Sequence, residues 1–238
     1  MKPSCPPEIE LRPGESIDNF LDGRLRLIQS CTGYRFSVDA VLLSEFATVK
    51  HGDLVVDLGT GCGIIPILML LTMPVGYAVG LEIQPELAGQ AARNAVINGL
   101  EQRMGVISGD IKHAPLPPSS VDVVICNPPY RRKESGRINP DPRRAIARHE
   151  ILISIDDLLD SVRGLLRPKG KFAIIYPAAR LTDIMSRMRG FNLEPKRMRM
   201  VYFGQQSEAK LVLIEALAGG REGLKILSPL FGQDNIHD

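Results

Sequence analysis

Asp57, Glu82 and Asn127 each stand at the end of a short apolar run, and the residues beside them are of types that handle nucleotides and amines. Asp57 lies in Leu54-Val55-Val56-Asp57-Leu58, a run that reads as a buried parallel strand. Gly59-Thr60-Gly61-Cys62-Gly63 follows, and then the apolar helix pattern Ile64-Ile65-Pro66-Ile67-Leu68-Met69-Leu70-Leu71. Strand, glycine turn and helix open a nucleotide-binding βα unit. Glycine permits the tight turn and lets a ligand approach the backbone with no Cβ in the way. A dinucleotide fingerprint needs Gly or Ala at the sixth position from Gly59, and Ile64 occupies it here. A carboxylate at Asp57 repels a pyrophosphate but suits an ammonium group, which argues for S-adenosylmethionine (SAM) over NAD. Glu82 follows Tyr77-Ala78-Val79-Gly80-Leu81, where an acid can bind both ribose hydroxyls. Taken alone, the glycine pattern also fits an ordinary tight turn or another nucleotide fold.

Asn127-Pro128-Pro129-Tyr130 follows a further buried-strand pattern, Val121-Asp122-Val123-Val124-Ile125-Cys126. Two prolines after a strand are also plain turn chemistry. Behind the glycine loop, these residues resemble the class I SAM-dependent methyltransferases that methylate a planar nitrogen. The resemblance implies a catalytic set of Asn127, Pro128, Pro129 and Tyr130, in which the Asn127 side chain and the Pro128 carbonyl accept hydrogen bonds from the target NH2 and Tyr130 stacks on the base. The lone pair of an aromatic amine is delocalised into its ring. Two acceptors favour a more tetrahedral nitrogen and aim its lone pair at the sulfonium methyl, and stacking holds a base taken out of its own stack. Tyr34-Arg35-Phe36-Ser37-Val38-Asp39-Ala40 resembles the element before the glycine loop in small RNA and protein-amide methyltransferases, where it lies over the cofactor. On that likeness Arg35, Phe36, Ser37 and Asp39 join Asp57, Gly59, Gly61, Gly63, Glu82 and Asn127 as cofactor residues. A capped amphipathic helix explains Phe36 and Val38 equally well. Asp110, after the strand Met104-Gly105-Val106-Ile107-Ser108, is a candidate for the adenine amine by the same resemblance, or a helix-capping aspartate.

The segment after the Asn-Pro-Pro-Tyr motif is basic. Arg131, Arg132, Lys133, Arg137, Arg143, Arg144 and Arg148 face only Glu134 and Asp141 before Glu150. A solvated charge run is the bland account. Its place directly after the acceptor motif suits phosphate contact. Lys196, Arg197 and Arg199 alternate with apolar residues in Glu194-Pro195-Lys196-Arg197-Met198-Arg199-Met200-Val201-Tyr202, which reads as a half-exposed strand with a basic face, and an RNA substrate would find backbone contacts there. Arg148-His149-Glu150 leads into Ile151-Leu152-Ile153 as in adenine-methylating tRNA relatives. Methyl transfer from a sulfonium needs no strong base, so His149 receives no chemical role.

The elements that position these residues follow from the rest of the chain. With 238 residues and 44% apolar content the sequence can bury one large core. Twenty-nine basic and 27 acidic side chains leave +2, so bulk charge names no partner. Four cysteines, at 5, 31, 62 and 126, form no C-x-x-C pair, which fits a reduced, cytoplasmic setting without a structural metal. The longest uncharged apolar stretch is broken by Pro66, Pro74 and Gly76, so no membrane span is expected. Residues 1 to about 18 read as a loose arm, with Leu25-Arg26-Leu27-Ile28-Gln29 as a short strand or half of a hairpin. Residues 33–220 form the domain, and 221–238 read as a tail. Helices are expected over 85–99, 155–166 and 181–189, with strands at 171–176 and 210–216. Seven strands alternating with helices, the last two consecutive, predict a doubly wound α/β sheet, mostly parallel with an antiparallel C-terminal strand. Asp57, Glu82, Asp110 and Asn127 all fall at the carboxyl ends of strands, where such sheets bind ligands.

The resemblance, over residues 33 to 217, is closest to the tRNA adenine-N6 methyltransferases acting on an anticodon-loop adenine. It implies SAM as donor, S-adenosylhomocysteine (SAH) as product and tRNA as partner. A release-factor glutamine methyltransferase is the main alternative, although that family carries a helical domain before the fold. Ribosomal RNA methylation is a further one. An NAD-dependent oxidoreductase is disfavoured by Ile64, and a non-catalytic SAM- and RNA-binding protein would not need Asn127.

Overall fold

The computed structural model describes residues 10–31, 38–128, 153–204 and 206–232. Along the chain come a hairpin, β1 (Glu15–Phe20) and β2 (Leu25–Ser30), then α1 (Val38–Phe46), β3 (Leu54–Leu58) and α2 (Ile64–Thr72). They are followed by β4 (Tyr77–Glu82), α3 (Pro85–Ile97), β5 (Met104–Ser108), β6 (Val121–Cys126), α4 (Ile155–Leu165) and β7 (Leu166–Pro177). The last elements are α5 (Leu181–Gly190), β8 (Leu193–Tyr202), β9 (Leu211–Ala218), β10 (Lys225–Ile226) and β11 (Leu230–Phe231).

The large sheet runs β5-β4-β3-β6-β7-β9-β8-β10, with β11 also on β8. β9 is antiparallel to both of its neighbours, and the other pairs in this sheet are parallel. This is the expected doubly wound architecture, with two short strands added to the expected seven.

Strand side chains alternate between faces, and both faces of the sheet are covered, so its middle strands are apolar at nearly every position. Val55, Val123, Ile125, Ala173 and Ile175 pack under α1, α2 and the hairpin. Val56, Leu58, Val124, Phe172 and Ile174 pack against α4 and α5 on the other side. Each such side chain contributes about 1.5–3 kcal/mol by leaving water, which fixes the register of the strands that carry the site.

Three boundaries differ from the sequence reading. Residues 15–18 are not part of a loose arm, because they form β1 and pair with β2. Glu15 is held there by a bidentate ion pair with Arg93 of α3. That guanidinium lowers the Glu15 carboxyl to about 2. The stretch from 221 is not a tail through residue 232: β10 and β11 lie along β8, and Leu227 and Leu230 pack on the core. β7 begins at Leu166 rather than 171, because the chain leaves α4 directly into the sheet and absorbs the excess in a bulge opposite Val121 and Val123.

Candidate active site

β3 and β6 end side by side. Leu58 and Cys126 are the last pair in their register, and the Cys126 thiol donates to the Leu58 carbonyl at 3.2 Å. The next residues are therefore adjacent: Gly59 opens the glycine loop on one strand, and Asn127 and Pro128 leave the other. Asn127 is half-buried and Pro128 buried.

The loop is strapped to the end of β4. Gly59 and Thr60 donate backbone N–H groups to the Leu81 carbonyl at 2.8 and 3.1 Å, and Gly63 N donates to the Thr60 carbonyl at 2.9 Å. The Glu82 carboxylate accepts from Gly61 N at 2.9 Å and from Gln84 N at 3.0 Å. Glu82 thus shapes the loop itself, in addition to standing at a strand end where ribose hydroxyls would be held. Gly59 has φ +78°, so its glycine is required by the turn, and a Cβ built there would meet none of the described residues within 4 Å. Gly63 is tighter as well as left-handed: at φ +84° a Cβ would lie 3.0 Å from the Met104 side chain and 3.1 Å from Ala91.

Asp57 is 1% exposed, and neither of its carboxyl oxygens has a hydrogen-bond partner among the described residues. Burial pushes its pKa up to about 7. The Thr60 hydroxyl lowers it in part, although it falls short of hydrogen-bond geometry, and the Glu82 charge raises it further. A buried acid left without a partner is costly. Its two oxygens suit a cation that is not part of the chain. The surrounding thiols stay neutral: burial raises Cys62 to about 12 and Cys126 well above its ordinary value.

Sequence reasoning passed over Thr60. Its buried Oγ1 also has no partner among the described residues, and it fits only because residue 80 is glycine: a Cβ there would lie 2.7 Å from Thr60 Cγ2. The signal was available as a hydroxyl inside the glycine run. Asp110 is drawn to the same edge, since Gly109 N donates to the Glu82 carbonyl at 2.9 Å. Its Oδ1 accepts from Lys112 N at 3.0 Å, capping a single 3-10 turn, Ile111–His113. Asp39 sits in the first turn of α1.

Two of the basic residues expected to face RNA are engaged inside the protein. Lys196 donates to the carbonyls of Arg221 and Glu222 at 2.9 and 3.3 Å. Arg197 pairs with the buried Glu215 at 3.1 Å, donates to the Thr48 hydroxyl at 2.9 Å and lies 4.9 Å over the Phe46 ring. Their partners are far away in sequence, which is why alternation alone made them look solvent-facing. Arg199 is half-buried, and its buried Nε has no partner among the described residues. Arg35, Phe36, Ser37, Pro129, Tyr130, Arg131, Arg132, Lys133, Arg137, Arg143, Arg144 and Arg148 lie outside the described residues. Among the described residues no group of three or more His, Cys, Asp or Glu is placed to hold a metal ion, and no helix is long and apolar enough to cross a membrane.

A family model described as a methyltransferase domain matches residues 50–216, from just before β3 to the middle of β9. The chain belongs to the methyltransferase family. S-adenosylmethionine is bound in one similar structure, that of a geranyl diphosphate methyltransferase, with TM-score 0.56 and 13% identity over 75% of this chain and 84% of the other. This methyltransferase is 30% identical over 206 residues to a tRNA1(Val) (adenine(37)-N6)-methyltransferase of Porphyromonas gingivalis, covering 83% of this chain and 80% of the relative. A protein of the same name from Bacteroides thetaiotaomicron is 31% identical over 65% of this chain and 63% of its own length. In fold, the methyltransferase is similar to a predicted O-methyltransferase of Agrobacterium tumefaciens, with TM-score 0.66 and 20% identity over 84% of this chain and 90% of the other.

The residues present fit the donor. Asp57 would offer S-adenosylmethionine's ammonium group a buried carboxylate without a partner among the described residues, Gly59 has no Cβ to obstruct an approach to the backbone, and Glu82 stands at the next strand end.

Proposed function

We propose that this methyltransferase methylates the exocyclic N6 amine of an adenine in the anticodon loop of a tRNA. The observation that supports the reading is the adjacency of Gly59 and Asn127 across the Leu58–Cys126 pair, which brings the first residue of the Asn-Pro-Pro-Tyr sequence beside the glycine loop. The curated relatives named for adenine 37 of tRNA1(Val) support the substrate. When bound, the donor supplies a methyl group on a sulfonium, activated without any base.

The protein's own task is to position. Asp57 would hold the donor's ammonium group and Glu82 its ribose hydroxyls, and Asp110 would accept from its adenine amine. Asn127 Oδ1 and the Pro128 carbonyl accept the two N–H groups of the target amine, which frees its lone pair for the methyl. The proton released by the product amine passes to water, since the described site offers no base with need of it. Tyr130 stacks on the flipped base. The basic run from Arg131 to Arg148 holds the backbone on either side of it. A folded tRNA presents such an unstacked base without helix melting. A cytoplasmic setting follows from that substrate.

The test offers labelled SAM separately to tRNA, ribosomal RNA, DNA and release factor, followed by nucleoside mass spectrometry. Label is expected in N6-methyladenosine of tRNA alone. Reversal of Arg143 and Arg144 to Glu is expected to weaken tRNA binding and flatten its salt dependence, with SAH affinity unchanged. Label only in protein glutamine would overturn the RNA reading.

A further inference from the structure

Asn94 lies on α3 and is fully buried, at 0% exposure. Its carboxamide faces two separate parts of the chain. Toward the hairpin, Oδ1 accepts from Ile28 N at 2.7 Å and Nδ2 donates to the Ile28 carbonyl at 3.1 Å. Toward the glycine loop, the same Nδ2 donates to the Cys62 carbonyl at 2.8 Å. Both amide hydrogens and the amide oxygen are thereby used.

Asn98 repeats the first half of this pattern. Its Oδ1 accepts from Arg26 N at 2.9 Å and its Nδ2 donates to the Arg26 carbonyl at 2.7 Å, but its remaining contact is to the Asn94 carbonyl within α3. The spacing explains the match. Residues four apart on a helix rise about 6 Å. Residues two apart on a strand rise about 6.6–6.8 Å. Two asparagines on one helix face therefore stand in for a third strand along the edge of β2 that β1 does not cover. Arg26 and Ile28 turn their backbone groups to that edge, and an open edge is otherwise a liability. Asn98 performs only this service. Asn94 performs it and also holds the loop.

We infer that Asn94 is a positioning residue for the donor site, coupling the seating of the N-terminal hairpin to the shape of the glycine loop. Cys62 sits between Gly61, whose N–H is fixed by Glu82, and Gly63, whose N–H is fixed by the Thr60 carbonyl. Asn94 fixes the carbonyl between them, so the loop is held from β4, from α3 and, through Asn94, from the hairpin. Glu15 and Arg93 clamp the same hairpin to the preceding residue of α3. Residues 32–37 join this hairpin to α1, so a hairpin seated through Asn94 also fixes where that connection begins. Coupling is reciprocal: what seats the hairpin favours the donor, and the donor must favour the seated hairpin.

The inference rests on the glycine loop being the donor site, and the experiment separates the two. SAH binding is measured calorimetrically for wild type, Asn94→Ala and Asn98→Ala, together with thermal midpoints and the kinetic constants for SAM. Both variants are expected to melt lower. Only Asn94→Ala is expected to bind SAH more weakly, on the order of tenfold for one lost buried hydrogen bond, and to raise KM for SAM more than it lowers kcat. A merely structural role would lower both midpoints and leave KM alone. Equal SAH affinity in Asn94→Ala and wild type overturns the inference, as does equal weakening by Asn98→Ala. Should Asn94→Ala fail to fold, hydrogen exchange on wild type decides: saturating SAH is expected to slow exchange of the Ile28 amide, and an unchanged rate overturns the coupling. Wild type that does not bind SAH refutes the donor-site reading itself.

Discussion

Replacing Asp57 by asparagine should make the protein more stable at pH 8 and poorer at binding its donor. The carboxyl ionises near 3.8 in an unfolded chain and at about 7 in the fold, chiefly because it is buried. Between those values the folded protein keeps a proton that the unfolded chain has lost. Stability therefore falls as pH rises through that window and levels off above 7. At 1.36 kcal/mol per pH unit the whole effect is about 4 kcal/mol. An asparagine avoids it but buries an amide whose hydrogens lack assured acceptors, at a cost of about 1–3 kcal/mol. The net gain at pH 8 is about 2 kcal/mol, or roughly 4–8 °C in thermal midpoint for a chain of this size. At pH 4 the gain should vanish. Donor binding runs the other way, because an ammonium needs the ionised carboxylate. With a pKa of about 7, wild type at pH 6 is mostly in the protonated form, so its SAH affinity should be about tenfold weaker than at pH 8. Asp57→Asn should bind weakly at both values. Scanning calorimetry and titration calorimetry at pH 4, 6 and 8 provide the readings. Wild-type affinity that does not change between pH 6 and 8, or a variant that melts below wild type at pH 8, would refute the reasoning.

Asn127→Ala is expected to lower kcat on the order of a hundredfold or more, with SAH affinity within about twofold of wild type, measured by methyl transfer and calorimetry on one preparation. Arg197→Ala is expected to destabilise the fold by about 1.5–3 kcal/mol in a urea titration, since it takes the charged hydrogen-bond donor from Glu215, which is 5% exposed. The salt dependence of tRNA binding should not change in that variant.

The central strands were legible because they are covered on both faces. Val55 and Val56 face opposite cores, and only a parallel strand between two layers needs both to be apolar. The same held for the strand before Asn127. The glycine loop was legible as residue types, but the isolation of Asp57 was not, since it depends on what the folded loop leaves unpaired. β1 was illegible for a different reason. Asp18 and Asn19 have poor strand propensity, and the hairpin is seated by Arg93, Asn94 and Asn98 from another element. Two asparagines four apart among Ala88, Ala91 and Ala95 were a readable hint that the buried face of α3 had backbone to satisfy. β10, two residues long, carries no pattern of its own and forms only because β8 offers an edge.

The place of β9 has a consequence for synthesis. It lies between β7 and β8 yet follows both in the chain, and Val212, Leu213, Ile214 and Ala216 are fully buried. A ribosome releases β3, β4 and β6, which carry the donor loop and Asn127, long before it releases this strand. Until then the nascent protein holds two apolar strand edges apart with nothing to join them, a form open to wrong pairing. The reversed strand is a keystone in the mason's sense: set after the stones on either side of it, which do not stand as an arch without it.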